Sequence, residues 1–221
     1  MEYFRGLVPY LEAAGNQVFT VSVHPVETIE FRARQVATFI RQHPILSTSH
    51  INLVGHSMGG IDGRFLISRL DPEHQIVSLS TLASPHRGSW LADIIDSFPF
   101  LGKQAARWTP GLRQLSEKNM AQLNSLLPDR EDVAYFSIPA ATRFLTCTPL
   151  MWPLYLLMRF HGGPNDGQVS QLSGSWGEVV EVAKADHFEV IGLRLGLNSL
   201  FPCDHLALYG HLTRLLSERG L

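Results

Sequence analysis

Apolar residues along this chain alternate between two spacings. Residues 2–14 put Phe4, Leu7, Val8 and Leu11 on one helical face, with Gly15 as a stop. Residues 17–23 alternate and are rich in β-branched side chains, which predicts a strand. From Glu27 the helical spacing returns through Ile29, Ala33, Val36 and Ile40 and ends before Pro44. A short apolar run then stops at Gly55, and Ile61, Phe65, Leu66 and Leu70 define the next helix before Asp71-Pro72. Further strands are predicted at 76–82, 133–138 and 178–182, and a last helix from about Asp204 through Leu206, Tyr209, Leu212 and Leu216. Strands alternating with helices predict an α/β domain with a mostly parallel sheet flanked by helices. No repeat or linker divides residues 1–221.

Two stretches do not fit this alternation. Residues 90–130 carry helical signals broken by Pro99, Pro110 and Pro128, and residues 139–163 are irregular and apolar. Both are read as lid or cap segments inserted into the sheet.

With 45% apolar and 17% charged residues, the chain has the composition of a folded domain. A net charge of −2 and the absence of a basic run exclude a nucleic-acid partner. Cys147 and Cys203 are read as free or buried thiols, and no His/Cys cluster suggests zinc or another cofactor. The first residues lack the basic start and apolar core of a signal peptide, and the apolar stretch 144–160 contains Pro149, Pro153 and Arg159, so no spanning helix is predicted. An intracellular location, cytoplasmic or mitochondrial, follows as the expectation. The sequence carries no signal of oligomeric state.

The chemistry lies at the end of the 51–54 run. Gly55-His56-Ser57-Met58-Gly59 is a G-x-S-x-G sequence between a predicted strand and a predicted helix, the setting of a nucleophile elbow in an α/β-hydrolase fold. The sharp turn requires glycines beside the serine. A serine nucleophile needs a base, and the base needs a carboxylate, in the chain order Ser, acid, His. Asp166, in the turn-forming Pro164-Asn165-Asp166-Gly167, and His187, after the last predicted strand, leave the same sheet edge as Ser57. Alone, Asp166 reads equally as a turn residue, and His187 reads more readily as a surface loop histidine. Asp186 is a competing acid, and His56 either shapes the acyl pocket or only packs. The Met58 N–H is one oxyanion donor.

These residues resemble the triacylglycerol lipases of the α/β-hydrolase superfamily, nearest to the bacterial family I lipases and their fungal and mitochondrial relatives. The likeness rests on Asn52-Leu53-Val54-Gly55-His56-Ser57-Met58-Gly59-Gly60, Ala83-Ser84-Pro85-His86-Arg87-Gly88-Ser89, Asn165-Asp166-Gly167-Gln168-Val169-Ser170 and Asp186-His187. The resemblance implies Ser57 as nucleophile, Asp166 as acid and His187 as base, and leaves His86 structural. It also implies a structural calcium in bacterial members, for which Glu189 is the candidate ligand here. An ordinary exposed role is expected for Glu189, with no metal. Finally it implies a strand ending in His-Gly, seated between residues 17–23 and the elbow strand. The chain as read lacks it, so an N-terminally truncated fold without the second oxyanion donor is expected.

The substrate expected from this resemblance and from the apolar segments is a fatty acyl ester, with transient contact to a lipid surface. Trp90, Leu91, Ile94, Phe98, Phe100 and Leu101 follow one motif, while Phe144, Leu150, Trp152 and Leu157 precede Asp166. Of these, Trp90, Leu91 and Trp152 are the candidate substrate contacts, together with His56. A short-chain esterase, thioesterase or acyltransferase would use the same triad. A non-catalytic homologue is the alternative from another class.

Overall fold

The computed structural model describes residues 3–97, 107–195 and 202–221. In chain order they form α1 (Leu7–Ala13), α2 (Ile29–Gln42), β1 (Ile51–His56), α3 (Met58–Arg69), β2 (Ile76–Leu82) and α4 (Trp90–Ser97). There follow α5 (Pro110–Gln114), α6 (Glu117–Leu126), β3 (Ala134–Ile138), α7 (Trp152–His161), the single turn α8 (Gln171–Gly174), β4 (Glu178–Val179) and α9 (His205–Glu218). The strands pair in parallel in the order β1-β2-β3-β4. Each connection is a crossover carrying helix, as parallel neighbours require. The second connection holds α4 to α6, and the third holds α7 and α8 ahead of β4.

Period-two alternation sorts the strand side chains to two faces. Leu53, Leu79 and Tyr135 meet Ala33, Val36 and Ile40 of α2 and Leu66 of α3. Val54, Leu82, Phe136 and Ile138 meet α1 and α9 through Leu7, Leu11, Leu208, Tyr209 and Leu212. Helix starts are set by side-chain caps where the sequence supplies them. Thr28 accepts from the Phe31 N–H, Ser116 from Asn119 and Asp204 from Ala207. Among the described residues no helix is long and apolar enough to cross a membrane.

Three boundaries differ from the sequence reading. Helix α1 begins at Leu7 rather than near residue 2, because Gly6 takes a left-handed conformation (φ 67°). Residues 17–23 form no regular element and join no ladder among the described residues. Phe19, Val21 and Val23 still pack on the α2 side of the core. Alternation records which face is buried and is blind to whether a backbone partner lies alongside. Strand β4 is two residues, not five. Bonds from Val180 N–H to Ser137 O and from Ala183 N–H to Pro139 O carry the chain on, both at 2.9 Å. Pro139 has no N–H to return, so the ladder breaks there and resumes as a bridge between Ala140 and Ala183.

Arg32 and Asp62 form an ion pair inside the domain, linking α2 to the first turns of α3. Arg32 Nε and Nη2 both reach Asp62 Oδ2, at 2.8 and 2.7 Å, and both side chains are buried. Arg32 Nη1 donates to the carbonyls of His24 (2.7 Å) and Pro25 (3.3 Å), pinning the loop before α2. Asp62 Oδ1 is buried without a partner. Burial raises the Asp62 carboxyl to about 6 against the downward pull of Arg32.

The folded value lies above the unfolded one, so this group's favourable contribution is complete below the unfolded value of 3.8 and is lost as pH rises through about 6. Denaturant unfolding of the wild type and Asp62→Asn at pH 4, 5.5 and 7 should show the wild type losing about 2 kcal/mol relative to the variant across that range. A difference that is flat with pH would reject this role for Asp62.

Candidate active site

Ser57 is the first residue past β1, and its backbone is held at φ 53°, ψ −129°. A side chain other than glycine adopts such a conformation only where its surroundings over-determine it. Here the Ser57 N–H extends the ladder to Leu82 O at 2.9 Å, and Gly60 N–H turns back to Ser57 O at 3.1 Å. A Cβ on Gly55 would lie 2.6 Å from the backbone of Gly59 and Gly60. A Cβ on Gly60 would overlap Ser84 Oγ and come within 2.8 Å of Thr81 Cγ2. A Cβ on Gly59 would meet nothing within 4 Å. The requirement for glycine therefore falls on positions 55 and 60. The motif glycine at 59 is not sterically required.

Asp166 sits in a loop made rigid by its own side chains. Asn165 Oδ1 accepts the Gly167 N–H at 2.9 Å, and Gly167 takes φ 96°. Asp166 Oδ1 accepts the N–H groups of Gln168 (2.8 Å) and Val169 (2.7 Å). That leaves Oδ2 free for His187 Nδ1, at 2.8 Å. His187 Nε2 lies 3.0 Å from Ser57 Oγ. With a carboxylate on Nδ1, the proton belongs on that nitrogen, and Nε2 is left to accept from the serine hydroxyl. The structure thus brings together Ser57, Asp166 and His187.

Asp186, the competing acid, faces elsewhere. Its Oδ2 accepts Thr148 N–H (2.8 Å) and Oγ1–H (2.7 Å), and its Oδ1 accepts the N–H groups of Phe188 (2.9 Å) and Glu189 (3.0 Å). Glu189 is buried rather than exposed, which corrects the sequence reading. It accepts the Asp186 N–H at 3.1 Å, and burial raises its carboxyl. Among the described residues no group of three or more His, Cys, Asp or Glu side chains is placed to hold a metal.

His56 supports His187 from behind. Its Nε2 lies 3.0 Å from the His187 carbonyl, which only accepts, so Nε2 carries the proton and Nδ1 accepts from Tyr3 Oη at 2.8 Å. Burial and the neighbouring His187 push its basicity well below that of a free imidazole. No motif pointed to Tyr3. His86 is buried under Trp176, with Nε2 3.0 Å from Thr81 Oγ1, while Arg64 stacks over the same indole at 3.6 Å. It holds the loop after β2 and does not face Ser57.

A cavity of about 240 Å³ opens beside Ser57, walled by Pro25, Val26, Met58, Leu91, Leu112 and Leu115. Of the candidate substrate contacts, Leu91 lines this cavity, and His56, Trp90 and Trp152 are not among its lining residues. Trp90 stacks on His161 at 4.9 Å, and Trp152 donates to Cys147 O and packs on Phe144. Phe98, Phe100 and Leu101 lie outside the described residues. The Met58 amide opens α3 and has no carbonyl a turn earlier to bond. Facing it across the cavity, Pro25 has no N–H and that of Val26 is turned to His24 Nδ1 at 3.4 Å.

A parallel sheet whose first strand turns sharply into a helix at a serine, with a carboxylate and an imidazole arriving on loops further along the chain, is the architecture of the α/β-hydrolase superfamily. Two solved folds agree with it. A metagenomic carboxyl esterase superposes with a TM-score of 0.84 at 19% identity, covering 98% of this chain and 70% of its own. Staphylococcus hyicus lipase superposes at 0.79 and 15% identity, covering 97% and 89%. Sequence relatives narrow the class. Triacylglycerol lipase 2 of Saccharomyces cerevisiae is 34% identical over 207 residues, which is 86% of this chain and 62% of that protein. A triacylglycerol lipase of Vibrio cholerae is 24% identical over 265 aligned positions, 100% of this chain and 83% of its own. The chain has the α/β-hydrolase fold and is similar in sequence to triacylglycerol lipases. It spans less than two thirds of the yeast relative's length. No family model matches it.

The glycine geometry gives a direct test. Gly60→Ala and Gly55→Ala should each cost at least about 2 kcal/mol in denaturant unfolding, as expected of overpacking against fixed neighbours. Gly59→Ala should stay within about 0.5 kcal/mol of the wild type. Equal losses at positions 59 and 60 would contradict this placement.

Proposed function

We propose that the protein hydrolyses carboxylic esters of fatty acids through an acyl-enzyme on Ser57. The observation that carries this reading is the continuous line Ser57 Oγ, His187 Nε2, His187 Nδ1, Asp166 Oδ2, with links of 3.0 and 2.8 Å. As Ser57 Oγ bonds to the ester carbonyl carbon, its proton passes to His187 Nε2. Asp166 holds the imidazolium that results. The carbonyl oxygen gains the electron pair and faces the Met58 N–H. Collapse of the adduct expels the alcohol, which takes the proton back from His187. Water, deprotonated by the same nitrogen, then attacks the acyl carbon, and the acid leaves with Ser57 restored.

The cavity supports the acyl part of the reading. Its walls are apolar, and its volume of about 240 Å³ falls just under the roughly 300–1,000 Å³ of small-molecule sites. That space suits one acyl chain beside Ser57 and leaves the remainder of a glyceride outside. The named activities of the relatives, triacylglycerol lipase and carboxyl esterase, agree with it. The small volume favours a second reading, an esterase for short acyl chains.

A fluorophosphonate probe should label the wild type and leave Ser57→Ala unlabelled, and Asp166→Asn should lower kcat by at least about 1,000-fold through the wrong imidazole tautomer. A folded wild type that never labels would instead indicate a homologue that binds without catalysis. Across a series of nitrophenyl esters, kcat/KM should rise from acetyl to octanoyl. A maximum at acetyl would select the short-chain esterase.

A further inference from the structure

Residues 17–27 supply Pro25 and Val26 to the cavity wall, yet among the described residues a single backbone–backbone bond ties this segment to the rest of the fold, from Gly111 N–H to Val26 O at 3.0 Å. Side chains of α2 supply the remaining hold. Arg32 Nη1 donates to the carbonyls of His24 and Pro25, and Gln35 Oε1 accepts the His24 N–H at 2.8 Å. A second wall hangs from the same segment. Besides the Gly111 bond, Gln114 Oε1 accepts the Ile29 N–H at 2.8 Å, and a Cβ on Gly111 would overlap Glu27 O. These contacts seat α5, which brings Leu112 and the next residue past its end, Leu115, to the cavity. Arg32 is itself anchored by Asp62, five residues past Ser57 on α3. A buried ion pair adds little net stability over an apolar pair of similar volume, and this one leaves Asp62 Oδ1 without a partner. What an apolar pair could not do is bridge: one planar guanidinium spans a carboxylate of the elbow helix and two carbonyls of the cavity wall.

We infer that Arg32 is a positioning residue for acyl-chain selection: it fixes the Pro25–Val26 and Leu112–Leu115 walls relative to the elbow helix, and so sets how much of a chain is covered beside Ser57. The inference rests on the ester-hydrolase reading above and adds to it a residue that is not among those lining the cavity. The donors of the fork are divided between two tasks, Nε and Nη2 on Asp62 and Nη1 on the two carbonyls. A lysine ammonium is a point charge that keeps at most one side of that bridge. With the bridge cut, residues 24–27 retain Gln35 and the bond from Gly111. Both walls then shift together, because α5 hangs from the Val26 carbonyl. An acetyl group needs little of this wall, whereas an octanoyl chain has to lie against it. Each methylene held by an apolar pocket is worth roughly 10- to 200-fold in kcat/KM.

The test compares the full-length wild type with Arg32→Lys and with the double variant Arg32→Gln, Asp62→Asn, which buries no charge and so avoids stranding a carboxylate. Each is assayed on nitrophenyl acetate and octanoate, and its amide hydrogen exchange is followed at Gly111 and Ile29, whose N–H groups join the loop to α5. Both variants should lower the octanoyl-to-acetyl ratio of kcat/KM by at least about tenfold. The loss should appear mainly as a higher KM for octanoate, because wall contacts bind the chain in ground and transition states alike. Exchange at Gly111 and Ile29 should quicken in both variants by at least about tenfold, as expected of a segment released from its anchor. An unchanged ratio, or an equal fall for both esters, in a variant that melts cooperatively would overturn the proposal and reduce the pair to a structural tie. So would a changed ratio with exchange at the wild-type rate. A wild type that cleaves neither ester would instead reject the ester-hydrolase reading, and this inference with it.

Discussion

The site depends on the contact between the turn at Ser57 and the strand beside it. The serine is held in a backbone conformation that L-residues avoid, and three things keep it there: the ladder bond to Leu82, the return bond from Gly60, and the missing side chains at Gly55 and Gly60. Ala83, the first residue past β2, also has a positive φ, 49°.

His187 and Asp166 are held from the opposite side by polar groups that have almost no access to water. Asp166 receives two backbone N–H groups besides the imidazole, His187 N–H donates to Asp166 O, and His56 grips the His187 carbonyl. Asp186 and Glu189 tie the same loop to Thr148. Buried networks of this kind are costly when incomplete and stiff when complete. Here nearly every acceptor is matched, so the imidazole has one tautomer and one orientation before substrate arrives. Asp62, on the elbow helix, has one buried oxygen without a partner. The Arg32 that neutralises it also sets the Pro25–Val26 wall of the cavity. Elbow support and cavity shape are therefore linked through one guanidinium.

Much of this was legible in the residues. The strand–turn–helix around Ser57, the acid in an Asn-Asp-Gly turn and the histidine after the last strand are local patterns, and the structure places them within hydrogen-bond reach. Other readings failed for identifiable reasons. The alternation over residues 17–23 reports a buried face, and pairing also needs a neighbour in register. Glu189 looks like any surface glutamate until the fold folds it back onto its own loop. The cavity walls Pro25, Val26, Leu112 and Leu115 come from segments that share no motif, so no local pattern could have named them.

The chain's own order of residues determined the fold class and singled out Ser57, Asp166 and His187, which the fold brings together, because those follow from short-range spacing and from which residue types can do acid, base and nucleophile chemistry. The tertiary structure alone decided the shape of the cavity, the support of His187 by His56 and Tyr3, the shift of the glycine requirement from 59 to 60, and the ion pair between Arg32 and Asp62. Each of those is a contact between segments tens to more than a hundred residues apart, or the lack of one. Side-chain chemistry is written locally, whereas which surfaces meet is set only when the whole chain has packed.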